Sequence, residues 1–136
     1  MRNDLIVGPR LIQFPRIGKS SLGYISVAEN ADIPFEVKRV YWTYYTPESV
    51  VRGGHAHHKL EQILISLAGK ITIDVELLDS QKERFVLDKP NVGLYIPKLV
   101  WRTLQYSHNA VQLCLAGSEY DEADYIRDYE SFKHAK

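Results

Sequence analysis

From about Leu11 to Leu115 the chain consists of short apolar or alternating runs, rich in β-branched and aromatic residues and separated by turn signals. The runs predict strands over residues 11–14, 23–27, 35–45, 54–57, 62–68, 70–77, 84–87, 92–96, 101–105 and 110–116. Between them stand breakers such as Ile33-Pro34, Thr46-Pro47-Glu48-Ser49, Ala68-Gly69-Lys70 and Asp88-Lys89-Pro90-Asn91. So dense a series of strands has to curl into a sandwich or barrel to hide its apolar faces, which makes the expected class all-β. After Gly117 the period changes. Tyr125, Tyr129 and Phe132 recur at i, i+4 and i+7 with Ile126 beside them, and this predicts one amphipathic helix over residues 121–133. With 136 residues and no repeat or linker, residues 1–136 read as one domain.

Lysine plus arginine equals aspartate plus glutamate at 17 each, so no net field draws the chain to nucleic acid or to an anionic membrane. A phosphate-bearing small molecule needs only a local arginine cluster and stays open. The single cysteine, Cys114, sits in an apolar run and reads as a buried free thiol, with nothing that calls for an oxidising compartment. The first apolar residues, Leu5-Ile6-Val7, are cut off by Gly8-Pro9-Arg10, too short a run for a signal peptide or membrane span. The expected location is the cytoplasm.

Chemistry is concentrated in Arg52-Gly53-Gly54-His55-Ala56-His57-His58-Lys59-Leu60-Glu61. If this segment is extended, His55 and His57 share one face while Ala56 and His58 point the other way. Two imidazoles in one space either bind a metal or move protons near neutral pH. The bland alternative is a polar strand end in which they only hydrogen-bond. His58 and His134 read as surface residues.

The spacing of His55, His57 and Glu61, with Gly69 closing the next turn, resembles the first motif of the cupins, small double-stranded β-helix (jelly-roll) barrels. Residues 90–97 followed by Val100-Trp101-Arg102 resemble the second, in which metal-binding cupins place a further histidine. Here that position is Arg102, whose guanidinium offers no lone pair and brings a positive charge where a cation would sit. His55, His57 and Glu61 remain a conceivable facial triad, and His108 a conceivable additional ligand, but ligand chemistry favours a pocket without metal.

Further blocks narrow the resemblance. Residues 33–41, 52–62, 92–96 and 119–129 together are similar to the cupin branch of dTDP-4-keto-6-deoxyglucose 3,4-ketoisomerases. Membership implies conversion of a dTDP-4-keto-6-deoxyhexose to the 3-keto sugar through an enediol, with no metal and no nicotinamide cofactor, in the making of an unusual sugar for a surface glycan. It further implies His55 as the base and His57 as a proton shuttle. Arg39, Arg52 and Arg127 match the diphosphate-binding cations, and Tyr41, Gln62 and Tyr95 the walls around thymine or hexose. Core packing is the competing expectation for Tyr41 and Tyr95, and pairing with a neighbouring acid for Arg127. The chain departs from its relatives around residues 19–24, where Leu22 stands in place of the basic or aromatic residue usual just before the glycine, here Gly23. Arg102 occupies a position that varies between histidine and arginine. Both places are expected to line the sugar pocket, with Arg102 touching the sugar. The family also implies a homodimer, often with exchange of N-terminal strands, and the aromatic C-terminal helix is expected to add to the interface. Competing readings are a 3,5-epimerase of the same sugar class, a metal-dependent cupin, and a non-catalytic sugar-nucleotide binding module.

Overall fold

Alternation along each strand divides the side chains between an interior shared by two sheets and their outer faces. The computed structural model describes residues 8–135, so the reading of Leu5-Ile6-Val7 falls outside the described residues. The elements are β1 (Arg10–Gln13), β2 (Arg16–Lys19), β3 (Gly23–Ser26), β4 (Arg39–Tyr44), β5 (Val51–His57), β6 (Gln62–Ala68), β7 (Ile71–Leu77), β8 (Lys82–Leu87), β9 (Val92–Ile96), β10 (Val100–Tyr106), β11 (Val111–Ala116), β12 (Tyr125–Ile126) and α1 (Tyr129–Lys133). One sheet has the order β1-β9-β6-β11-β4, the other β12-β5-β10-β7-β8, and β2 and β3 form a separate hairpin. All pairings are antiparallel. This is the jelly-roll barrel of the cupin type.

Every second residue of the central strands enters the space between the sheets: Ile71, Ile73 and Val75 from β7, Leu94 and Ile96 from β9, Leu104 and Tyr106 from β10, and Cys114 from β11. Ile71 and Ile73 are fully buried, and each such side chain contributes about 1.5–3 kcal/mol. Intervening residues form a second cluster on the outer face of the first sheet, where Phe14, Ile33, Ile63, Ile65, Tyr95 and Leu115 meet. A third cluster, Ala56, Ile126 and Phe132, lies between β5 and α1.

Residues 121–133 do not form one helix. Glu122–Asp124 make a 3-10 turn, Tyr125–Ile126 pair with the edge of β5, and α1 spans only Tyr129–Lys133. The aspartates decide this. Asp121 accepts a hydrogen bond from the Ala123 N–H and caps the turn, Asp128 accepts from the Ser131 N–H and caps α1, and Asp124 takes the backbone N–H groups of Lys59 and Leu60 at 2.9 and 3.2 Å. Short acidic side chains that bind backbone locally interrupt a helix, and the free edge of β5 captures the released residues. Only the last part of the apolar periodicity is realised as helix. The long strand expected over residues 35–45 starts at Arg39, because Phe35 instead stacks on Tyr95 outside the barrel. The hairpin strand β2 gave no signal: all four of its residues are exposed.

Candidate active site

A bulge in β5 assembles the site. Arg102 pairs with His55 and Thr103 with Gly53, which leaves Gly54 as an extra residue. Gly53 and Gly54 have φ of 85° and 70°, and a Cβ on Gly53 would stand 2.8 Å from the Arg102 carbonyl oxygen. Strict alternation would set Arg52 and His55 on opposite faces. With the bulge, Arg52 pairs with Leu104 and His55 with Arg102, two inward residues of one strand, so both face the barrel. At the edge of the same strand Tyr125 pairs with His57 and Ile126 with Ala56. Tyr125 therefore joins the imidazoles, while Ile126 and Ala56 pack beneath α1.

The His55 and His57 rings lie 4.9 Å apart between centroids at 80°, and the Tyr125 ring covers both at 5.1 and 4.4 Å. His55 opens onto a cleft of about 340 Å³ walled by Arg39, Tyr41, Arg52, Tyr125 and Arg127. His57 lies behind Tyr125, only 1% exposed, and neither ring nitrogen has a hydrogen-bond partner among the described residues. Its Nδ1 is 3.4 Å from Asp124 Oδ2, out of hydrogen-bond alignment, because that carboxylate is turned to the backbone of residues 59 and 60.

Arg102 forms the floor. It is 1% exposed, donates from Nε and Nη2 to the Val100 carbonyl at 3.2 and 2.9 Å, and donates from Nη1 to Gln62 Oε1. Gln62 Nε2 donates in turn to the Tyr41 hydroxyl at 2.9 Å and to Cys114 Sγ at 3.4 Å. Arg102 and Gln62 thus lie beneath the cleft rather than on its wall. The guanidinium acts through its charge. Burial pulls its pKa down to about 10, so it stays cationic at neutral pH. Burial and then this charge push His55 down to about 4. The same two causes, with His55 itself next, push His57 down to about 2. Both imidazoles are neutral bases. Burial raises the Cys114 thiol to about 11 and raises Tyr41, so neither is an anion.

Of the expected phosphate ligands, Arg39 has a buried Nε without a hydrogen-bond partner, Arg52 lines the cleft, and Arg127 is at its rim. Arg127 also fulfils its competing expectation, since Nε and Nη2 donate to Glu122 at 2.7 and 2.9 Å, and Glu122 is held down to about 2 by that pair. Tyr95 is not part of the cleft. On β9 it alternates with the inward Leu94 and Ile96, and its hydroxyl donates to Glu61 at 2.5 Å on the outer face of the sheet. Glu61 is consequently turned away from the imidazoles and supplies no third metal ligand, and His108 is exposed on the β10–β11 turn. Among the described residues no group of three His, Cys, Asp or Glu side chains converges. A larger concavity of about 740 Å³, lined by Lys59, Glu61, Tyr95 and Lys98 among others, holds no imidazole. Sequence reading passed over Tyr125, taken as the apolar face of a helix, because its role follows from a two-residue strand with no periodic signal.

Comparison with known proteins identifies the family. The family model described as FdtA, WxcM-like, C-terminal, matches residues 7–136. The TDP-4-oxo-6-deoxy-α-D-glucose-3,4-oxoisomerase of Aneurinibacillus thermoaerophilus is 40% identical over 127 residues, covering 91% of this chain and 89% of the relative. The crystal structure of the sugar 3,4-ketoisomerase QdtA from Thermoanaerobacterium thermosaccharolyticum with TDP superposes with a TM-score of 0.89 at 37% identity, covering 95% and 94% of the two chains. A variant of that enzyme has been solved with TDP-4-keto-6-deoxyglucose. The TDP-quinovose 3,4-ketoisomerase WlaRB of Campylobacter jejuni gives 0.88 at 37% identity, covering 95% and 99%.

Proposed function

The chain belongs to the FdtA, WxcM-like C-terminal family, and from that premise we propose that it is a TDP-sugar 3,4-ketoisomerase acting on TDP-4-keto-6-deoxyglucose. The observation that carries the reading is a pair of neutral imidazoles beside a buried guanidinium, one of them opening onto a cleft that also presents Arg39, Arg52 and Arg127. A ketone at sugar carbon 4 acidifies the proton on carbon 3. His55, at the cleft surface, takes that proton; the C4–O oxygen gains negative charge, and the buried Arg102 charge favours that build-up. Reprotonation at carbon 4, with loss of the proton from the carbon-3 hydroxyl, leaves the ketone at carbon 3. His57, in ring contact with His55 but screened from the cleft by Tyr125, would act as a proton shuttle only by way of His55. The diphosphate lies against the three arginines, whose forked donors match it. No step calls for a metal or a nicotinamide.

The proposal extends to a cytoplasmic homodimer whose product enters a surface glycan. Support for the dimer comes from the outer face of edge strand β4, where Val40, Trp42 and Tyr44 are exposed together, and from Ile17, Leu22 and Ile25 exposed on the β2–β3 hairpin. No helix among the described residues is long and apolar enough to cross a membrane.

The test is incubation of chelator-treated protein with TDP-4-keto-6-deoxyglucose in deuterated water, followed by NMR. A ketone moved to carbon 3 with deuterium at carbon 4 is expected. Deuterium at carbon 5 would mark an epimerase, dependence on added metal would mark a metallo-cupin, and an unchanged sugar would leave only a binding module.

A further inference from the structure

Three tyrosines line the cleft, Tyr41, Tyr106 and Tyr125. The first two have committed hydroxyls: Tyr41 accepts from the Gln62 amide and is hydrogen-bonded to Cys114, and Tyr106 donates to Gln112 Oε1 at 3.0 Å. The Tyr125 hydroxyl has no hydrogen bond to any described residue, although its ring is fixed by backbone pairing with His57 and by contact with both imidazoles and the Arg127 guanidinium, the latter 4.2 Å from the ring centroid. A rigidly held aromatic with an unspent donor at the mouth of a cleft is a group prepared for a ligand.

The chemistry proposed above leaves a vacancy for such a donor. When His55 takes the proton from carbon 3, charge accumulates on the oxygen at carbon 4 and calls for a hydrogen bond at that atom. Arg102 stabilises it through space, because it lies buried beneath the floor, held there by its bonds to Val100 and Gln62. His57 is screened by Tyr125 itself. We propose that Tyr125 is a catalytic residue, its hydroxyl donating a hydrogen bond to the sugar oxygen on which charge develops as the enediolate forms. The O–H bond stays intact: His55 holds the proton taken from carbon 3, and the hydroxyl shares its own. This role rests on the ketoisomerase reading.

The variant Y125F removes the oxygen and keeps the ring, and Y125L removes both. Steady-state turnover of TDP-4-keto-6-deoxyglucose should fall about 100-fold in Y125F, the usual scale for one oxyanion donor. KM and the Kd for TDP by calorimetry should stay within about threefold, since the lost bond belongs to the transition state. Y125L should fall further, because the imidazoles lose their wall. Unchanged kcat in Y125F overturns the role, as does a rise in KM alone or loss of TDP binding together with turnover. If the wild-type protein leaves the ketone at carbon 4, the ketoisomerase reading fails and takes this role with it; active wild type beside fully active Y125F refutes only Tyr125.

Discussion

Replacing Arg102 by methionine removes a buried charge while keeping most of its volume. His55 is held from 6.5 to about 4, a preference of roughly 3 kcal/mol for the neutral ring. Burial is the larger cause and Arg102 the next, so removing the guanidinium recovers only part of the shift, on the order of one pH unit. In R102M the acid limb of kcat/KM should therefore move up by about one pH unit, measured in overlapping buffers with the keto sugar as substrate. The substitution also leaves Gln62 Oε1 and the Val100 carbonyl without their donor, at a cost of about 1–3 kcal/mol of stability, so melting curves accompany the kinetics. R102K separates the two effects. It keeps the charge and loses the fork, so its acid limb should match wild type while its Tm falls. An acid limb that stays in place in R102M refutes the view that this charge keeps the pair neutral.

His57 gives a stability prediction with a definite sign. Its pKa is lowered from 6.5 to about 2 in the fold, so below about 6.5 the unfolded chain takes up a proton that the folded chain refuses. The contribution is complete above that value and shrinks as pH falls, by about 2 kcal/mol at pH 5. Denaturant unfolding at pH 7 and pH 5 should show H57N losing about 2 kcal/mol less than wild type over that interval; equal losses would contradict the buried neutral ring. Phe132, fully buried under β5, anchors the segment that carries Tyr125. F132A should cost about 3–5 kcal/mol, seen as a Tm lower by about 10 °C, and a loss below about 1 kcal/mol would show that α1 docks without consequence.

The barrel was legible because its core strands are short apolar or alternating runs bounded by turn residues: residues 62–68 and 92–96 match the observed strands without adjustment. The imidazole pair was legible for the same reason, two residues apart on one strand. What escaped was non-local. The fate of residues 121–133 depended on an edge of β5 about seventy positions earlier and on Asp124 finding the backbone of Lys59 and Leu60 beside it. The displacement of Tyr95 from the site follows from strand parity on β9, which the apolar sequence Val92-Gly93-Leu94-Tyr95-Ile96 does not reveal, since both faces of that strand are buried. Arg102 was recognised as the residue that displaces a metal ligand, but the depth at which it lies is set by Gln62 and Cys114 on two other strands.

The single inserted residue at Gly54 places a cation and a proton acceptor on one length of backbone, Arg52 and His55 being three positions apart. At about 3.3 Å per residue that is a span of less than about 10 Å, and no hinge or loop intervenes to change it. Under the proposed roles of Arg52 and His55, the strand would act as a ruler between the charged tail of the ligand and its reacting carbon, and ligands whose two ends are spaced differently would fit it poorly.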